Sequence, residues 1–203
     1  MNNFIECYPR TLSQEQCNNI IHEFHRDKNK EVGSLGGRVD HSLKHSIDIK
    51  CRFAEGNAIE DEWTYRSQFK QYNQLIYPAL TSGLQLYTGK YEFMMELSSW
   101  RIYNGYNIQY YGEGGGYKVL HCEHENHAKA MYRILAWMFY LNDAQSGTYF
   151  PHQDVILTPK AGDLWVWPAF WTHAHRGVTP NVGDKWIATG WCEFDSPTGL
   201  SFG

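Results

Sequence analysis

The sequence predicts an α+β protein, with helices in roughly the first ninety residues and a core of short strands after them. Three observations carry this reading. The spacing of apolar residues changes from a helical to a strand-like pattern near residue 90. The 203-residue chain contains no internal repeat, low-complexity stretch or linker, so residues 1–203 read as one domain. Within it, about 1–90 form helical support and about 91–195 the β core. The composition is that of a globular chain, with 42% hydrophobic residues and a net charge of −4. A domain of this length buries about 70% of its extended surface and needs no disulfide staples.

In chain order, Thr11 or Ser13 can cap a first helix. Gln16 lies three residues past Ser13, as in a capping box. Cys17, Ile20, Ile21 and Phe24 follow at i, i+3, i+4 and i+7 and form one apolar stripe. Asp27 to Ile47 is polar and carries Gly33, Gly36 and Gly37, which predicts a long loop acting as a lid or binding loop. A short strand is expected near Ile47–Cys51. A second helical pattern runs from about Glu60 to Gln85, with Phe69, Tyr72, Ile76 and Leu80 on one face. Pro78 is expected to kink or end it. Further on, Arg133 to Leu141 is an apolar run of buried-strand length, and a short buried helix is the alternative. Val155–Leu157 and Leu164–Trp167 are short strands separated by Pro159 and Gly162, and Lys185 to Phe194 is aromatic and β-branched. Such strands suit a sandwich or barrel with helices packed outside it.

Function classes fall away on charge and cysteine usage. No run of five or six like charges exists, which argues against a nucleic-acid or membrane-surface partner. Five scattered cysteines (Cys7, Cys17, Cys51, Cys122, Cys192) include no C-x-x-C pair, so neither a zinc ribbon nor a disulfide framework is expected. With no leader pattern and no long apolar span, the expected location is the cytoplasm.

The chemistry concentrates in two segments. Residues 121–127, H-C-E-H-E-N-H, hold three histidines and two glutamates. On a strand, His121 and Glu123 share a face and can reach one metal; on a helix, His121, His124 and His127 would align instead. The zinc-protease pattern H-E-x-x-H is absent. The stretch Trp167 to Gly177 (W-P-A-F-W-T-H-A-H-R-G) adds His173 and His175. One imidazole from it would complete two histidines and a carboxylate on one face of an iron, leaving positions for O₂ and a bidentate cosubstrate. The glycines at 112 and 114–116 lack a following Lys-Ser/Thr, so a hairpin near the site is expected rather than a phosphate loop.

From about Gln109 onward the chain resembles the Fe(II)- and 2-oxoglutarate-dependent dioxygenases, most closely their prolyl 4-hydroxylase-like branch. The stretches that carry the resemblance are Q-Y-Y-G-E-G-G-G-Y-K-V-L-H-C-E, R-I-L-A-W-M-F-Y-L-N-D, S-G-T-Y-F, P-K-A-G-D-L-W-V-W-P, H-R-G-V-T-P-N-V-G-D-K-W and T-G-W, in family order. The resemblance implies a double-stranded β-helix, a jelly-roll or cupin-like core flanked by the N-terminal helices. His121 and Glu123 then look like the family's H-x-D/E pair, with Glu in place of the commoner Asp. The family's second histidine stands ten residues before its basic anchor, which from Lys185 selects His175 over His173. Lys185 would bind the distal carboxylate of 2-oxoglutarate. Tyr111 and Tyr140 fall where the family places hydroxyl donors to the same cosubstrate, and Trp191 falls on the pocket wall. Arg133 is a candidate for contact with substrate or with a ligand residue. Tyr117 stands one residue further from His121 than is usual.

The period of two along 185–191 independently puts Lys185 on one face with Ile187, Thr189 and Trp191, where a buried ammonium needs an anion. What the resemblance implies is a hydroxylase using Fe(II) and 2-oxoglutarate, with ascorbate as an additional candidate cofactor. The expected substrate is a prolyl residue of a peptide or protein; free amino acids, other small molecules and nucleobases are alternatives. A non-catalytic cupin-like metal binder and a zinc hydrolase are the rivals from other classes.

Overall fold

The computed structural model describes residues 2–53, 69–124, 128–179 and 182–195. Chain order gives β1 (Glu6–Tyr8), α1 (Gln14–Arg26), β2 (Glu31–Val32), β3 (Lys44–His45), β4 (Ile47–Arg52), α2 (Lys70–Lys90) and a 3₁₀ turn at Glu92–Glu96. β5 (Trp100–Tyr111), β6 (Gly116–Tyr117), β7 (Arg133–Tyr140), β8 (Thr148–Phe150), β9 (Val155–Ile156) and β10 (Leu164–Pro168) follow. β11 (Arg176–Gly177) and β12 (Lys185–Phe194) end the described chain.

The capping box closes as expected. Ser13 Oγ accepts from the Gln16 N–H at 3.1 Å, and Gln16 Oε1 accepts from the Ser13 N–H at 2.8 Å. Cys17, Ile20 and Phe24 then face the core. The second helix starts at Lys70 and buries Tyr72, Ile76 and Leu80; the expected stretch from 60 to 68 lies outside the described residues. Pro78 does not end this helix, which runs twelve residues further to Lys90. Burial of Leu80, Leu84 and Tyr87 against the sheet holds the turns beyond the proline.

A seven-stranded antiparallel sheet in the order β1-β10-β7-β12-β5-β4-β2 forms the larger layer. The first ninety residues are therefore not purely helical support: they contribute β1, β2 and β4 to this sheet. Strands of two and three residues are too short to show a period. The longest strand, β5, also escapes sequence reading, because Asn104, Gly105 and Asn107 look like turn formers.

Both faces of the sheet are covered. Leu135, Trp137 and Phe139 of β7 pack with Phe24, Ile76 and Leu80 of the helices. Ala136, Met138 and Tyr140, the intervening residues, pack with Phe150 and Leu157 of the second layer. That double burial is why R-I-L-A-W-M-F-Y-L reads as a continuous apolar run. The second layer comprises the three-stranded sheet β11-β8-β9, the pair β3-β6 and a single backbone bridge between His121 and His175. The segment 27–47 is more ordered than a plain loop. It contains β2, β3 and a tight turn in which Leu35 and Arg38 exchange backbone hydrogen bonds of 2.9 Å.

β12 lies at the middle of the sheet and supplies the floor of the site. At Gly190 a Cβ would lie 2.5 Å from Cζ2 of the fully buried Trp137 indole. Gly190→Ala is therefore expected to destabilise the fold by about 1–3 kcal/mol, the range for overpacking. Urea denaturation checks this; an unchanged midpoint would mean that the indole yields.

Candidate active site

The site grows from the His121–His175 bridge in the second layer. The His121 N–H donates to His175 O at 3.0 Å and the His175 N–H to His121 O at 2.7 Å, which sets the residues directly opposite each other. Their imidazoles lie on one face with centroids 4.5 Å apart. Two residues on, the Glu123 N–H donates to Ala169 O at 3.1 Å and holds its carboxylate on the same side. One ligand atom from each of His121, Glu123 and His175 lies within 4.8 Å of the others.

Each imidazole is oriented by its far nitrogen. Nδ1 of His121 lies 2.9 Å from Val119 O, and Nδ1 of His175 lies 2.9 Å from His173 O. A ring N–H donated to a carbonyl fixes the tautomer that leaves Nε2 with a lone pair. The Nε2 of His175 faces Glu123 Oε1 at 3.4 Å. Burial, then the neighbouring His175, push the His121 pKa down to about 4. Burial would raise Glu123, but the two imidazoles and the Trp191 indole outweigh it and hold the carboxyl at about 2. Two imidazoles, each turning Nε2 inward, and one carboxylate converge on one point and fit a divalent cation, and an N₂O donor set without thiolate suits Fe(II).

His173 is excluded from this set by its own bonds. Its Nε2 lies 2.8 Å from Asn3 O and its Nδ1 2.9 Å from Thr172 Oγ1, so both ring nitrogens are engaged elsewhere. Its contribution is the carbonyl that orients His175. His124 also turns away, with Nε2 on Arg133 O and its ring 4.6 Å from Phe170. Glu125 to His127 lie outside the described residues.

Beside the triad is a cavity of about 230 Å³, lined on its β12 side by Lys185, Ile187, Thr189 and Trp191. The expected period of two is realised. Lys185 is 3% exposed, and its ammonium donates only long contacts, 3.4 Å to Gly147 O and 3.3 Å to Val178 O. Among the described residues no carboxylate pairs with it. Burial lowers its pKa to about 8. A buried, unpaired ammonium facing a cavity fits an anionic group such as a ligand carboxylate.

Tyr111 also lines the cavity, but it presents its ring, 5.2 Å from the Lys185 ammonium, while its hydroxyl donates to Gln109 Oε1 at 2.9 Å. Tyr140 stands back from the cavity, fully buried, with its hydroxyl 3.1 Å from Thr148 Oγ1. The cavity wall at that point is Thr148 itself. Tyr117 lines the cavity with its ring 4.0 Å from that of His121. Arg133 donates to Glu123 O at 3.2 Å.

Sequence reasoning missed several residues here. Lys44 lines the cavity and pairs with Asp48 at 2.7 Å, both nearly buried, and Gln109 donates to the same carboxylate oxygen at 3.1 Å. Gln109 and Asn107 share the Tyr111 face at spacings of two, a signal that was available; Lys44 and Asp48 look in sequence like ordinary surface charges. Ser34, Leu35 and Gly36 of the turn also line the cavity.

A two-layered antiparallel β core holds a His–Glu–His triad that could bind one metal ion, beside a buried lysine. Residues 106–193, from within β5 into β12, match the model of the 2OG-Fe(II) oxygenase superfamily. That family uses Fe(II) and 2-oxoglutarate. The fold is its double-stranded β-helix, as similar solved structures show. The viral collagen prolyl hydroxylase of Paramecium Bursaria Chlorella virus-1 is 15% identical, with a TM-score of 0.64 over 95% of this chain and 97% of that one. A Pseudomonas putida prolyl-4-hydroxylase is 16% identical, with a TM-score of 0.64 over 96% and 95%. A Trichoplax adhaerens prolyl hydroxylase, solved with a hypoxia inducible factor peptide fragment, is 13% identical, with a TM-score of 0.64 over 95% and 84%. No curated protein matches the sequence. Among the described residues no helix is long and apolar enough to cross a membrane, and all five cysteines are free.

Lys185 generates a pH dependence. Its pKa falls from 10.5 to about 8 on folding, so between those values the unfolded chain binds the extra proton. Stability of the metal-free protein should therefore rise with pH across that window. Urea denaturation at pH 7.5 and 10 should show a gain in the native chain that Lys185→Met lacks. Parallel behaviour of the two would contradict the assignment of a buried, unpaired ammonium.

Proposed function

We propose that this protein is an Fe(II)- and 2-oxoglutarate-dependent dioxygenase that hydroxylates a C–H bond, with a prolyl residue of a peptide or protein as its substrate. The single observation that carries the reading is the placement of the buried Lys185 ammonium and the His121–Glu123–His175 triad around one cavity. A protein that only stores metal has no use for a buried cation at that place. The prolyl substrate is supported by the likeness of fold to prolyl hydroxylases.

In this reading His121, Glu123 and His175 hold the iron, and Lys185 binds the distal carboxylate of 2-oxoglutarate. When bound, iron with 2-oxoglutarate and O₂ supplies the C–H oxidation, with release of succinate and CO₂. The chain's part is positional. The carbonyls of Val119 and His173 keep both imidazoles aimed with Nε2 toward the site, and the Thr148 hydroxyl, backed by Tyr140, offers a second polar contact near Lys185. Trp167, Ile187 and Trp191 give the cavity apolar walls, and Ser34, Leu35 and Gly36 also line it.

Succinate release measured against a panel of proline-containing peptides, free amino acids and nucleobases tests the activity and the substrate together. His121→Ala, Glu123→Ala and His175→Ala should each abolish turnover. His173→Ala should keep a measurable fraction, since its loss removes a support rather than a ligand, an effect of about 10–100-fold. Lys185→Ala should raise the KM for 2-oxoglutarate at least about tenfold, or roughly 1.4 kcal/mol, with Lys185→Arg restoring part of it. An unchanged KM would remove the cosubstrate assignment, and succinate release driven by a free amino acid but by no peptide would move the substrate to a small molecule.

A further inference from the structure

The metal triad leaves one question open. Glu123 has one more rotatable bond than the Asp commoner at this place in the resembling family, so its carboxylate is free to swing or to present both oxygens. The structure shows what restrains it. The Trp191 indole N–H donates to Glu123 Oε2, while the other oxygen, Oε1, is turned toward His175 Nε2 at 3.4 Å. The Arg133 guanidinium lies over the Trp191 ring at 3.8 Å from its centroid, donates to the Glu123 carbonyl at 3.2 Å, and stands 3.8 Å from Oε2. The carboxylate is thus tied back through one oxygen only.

The fold makes this arrangement locally and at some cost in regularity. On one side of β12 the register with β5 shifts between Gly190 and Cys192. On the other the register with β7 shifts between Cys192 and Glu193, so that Glu193 pairs with Arg133. Ladder irregularities of this kind re-aim side chains. Here they flank Trp191 and bring the guanidinium and the indole together. The bond is also not what every indole in this protein has: the buried N–H groups of Trp137, Trp165 and Trp167 have no hydrogen-bond partner among the described residues.

We propose that Trp191, backed by Arg133, is a positioning residue that fits the longer Glu123 to the metal site by holding Oε2 and leaving Oε1 as the single ligand oxygen. It acts through Glu123 and not on the metal. The inference rests on the triad being a metal site and goes beyond it by giving Trp191 a role separate from the cavity wall.

Co(II) affinity, measured by calorimetry without cosubstrate or turnover, is the test. Trp191→Phe keeps a ring for Arg133 but has no N–H, and it should weaken Co(II) binding by about tenfold or more. In a Glu123→Asp background the same change should lose its effect, because the shorter carboxylate cannot span from the indole to the metal position. A loss below about tenfold in the native background, or an equal loss in both backgrounds, overturns the proposal. A native protein that binds no Co(II) overturns the metal site itself, and this inference with it. Should Trp191→Phe not fold, proton–nitrogen NMR of the metal-free native chain still decides. One indole N–H resonance should move upfield and exchange faster in Glu123→Ala, and no such change would refute the bond.

Discussion

Everything at the site depends on one backbone pairing in the second layer, that of His121 with His175. Two mutual hydrogen bonds of 3.0 and 2.7 Å place the imidazoles side by side, and the carbonyl of His173, two residues before His175, then fixes the His175 tautomer. His173 lies in the 3₁₀ turn Trp171–His173 outside this pairing, and its ring is turned to Asn3 O. The N-terminal residues thus hold the support of a ligand more than a hundred residues away in sequence.

A second constraint is the cost of charge inside the barrel. Lys185 is buried with no anionic partner among the described residues, whereas the neighbouring Lys44 is neutralised by Asp48. An unmatched buried charge is tolerated where a ligand completes it. The cavity therefore has two poles, an acceptor-rich triad that fits a cation and a lysine that fits an anion. A keto acid chelated at one end and carrying a carboxylate at the other matches both.

Much of this was legible in the sequence, for identifiable reasons. The strands β7 and β12 are long, apolar and interior, so their faces follow from a period of two, and Lys185, Ile187, Thr189 and Trp191 were placed together correctly. His121, Glu123 and His175 were found by spacing and by resemblance. What escaped is what long-range pairing decides. β1, β2 and β3 are too short to carry a pattern, and β5 hides behind Asn and Gly. Lys44 reaches the cavity only because β3 pairs with β6. Tyr140 was expected at the cosubstrate; its hydroxyl lies 3.1 Å from Thr148 Oγ1, and Thr148 lines the cavity. The hydroxyl of Tyr111 was expected there too; in the structure it donates a hydrogen bond to Gln109 Oε1.

The most direct test of the account is anaerobic visible spectroscopy of the native protein loaded with Fe(II). Addition of 2-oxoglutarate should produce a weak charge-transfer band, because a keto acid chelates an iron that keeps open positions beside three protein ligands. Acetate or succinate, which lack the keto group, should not produce it. No band with 2-oxoglutarate, in protein shown to hold one iron per chain, would contradict the reading of this cavity as a cosubstrate site.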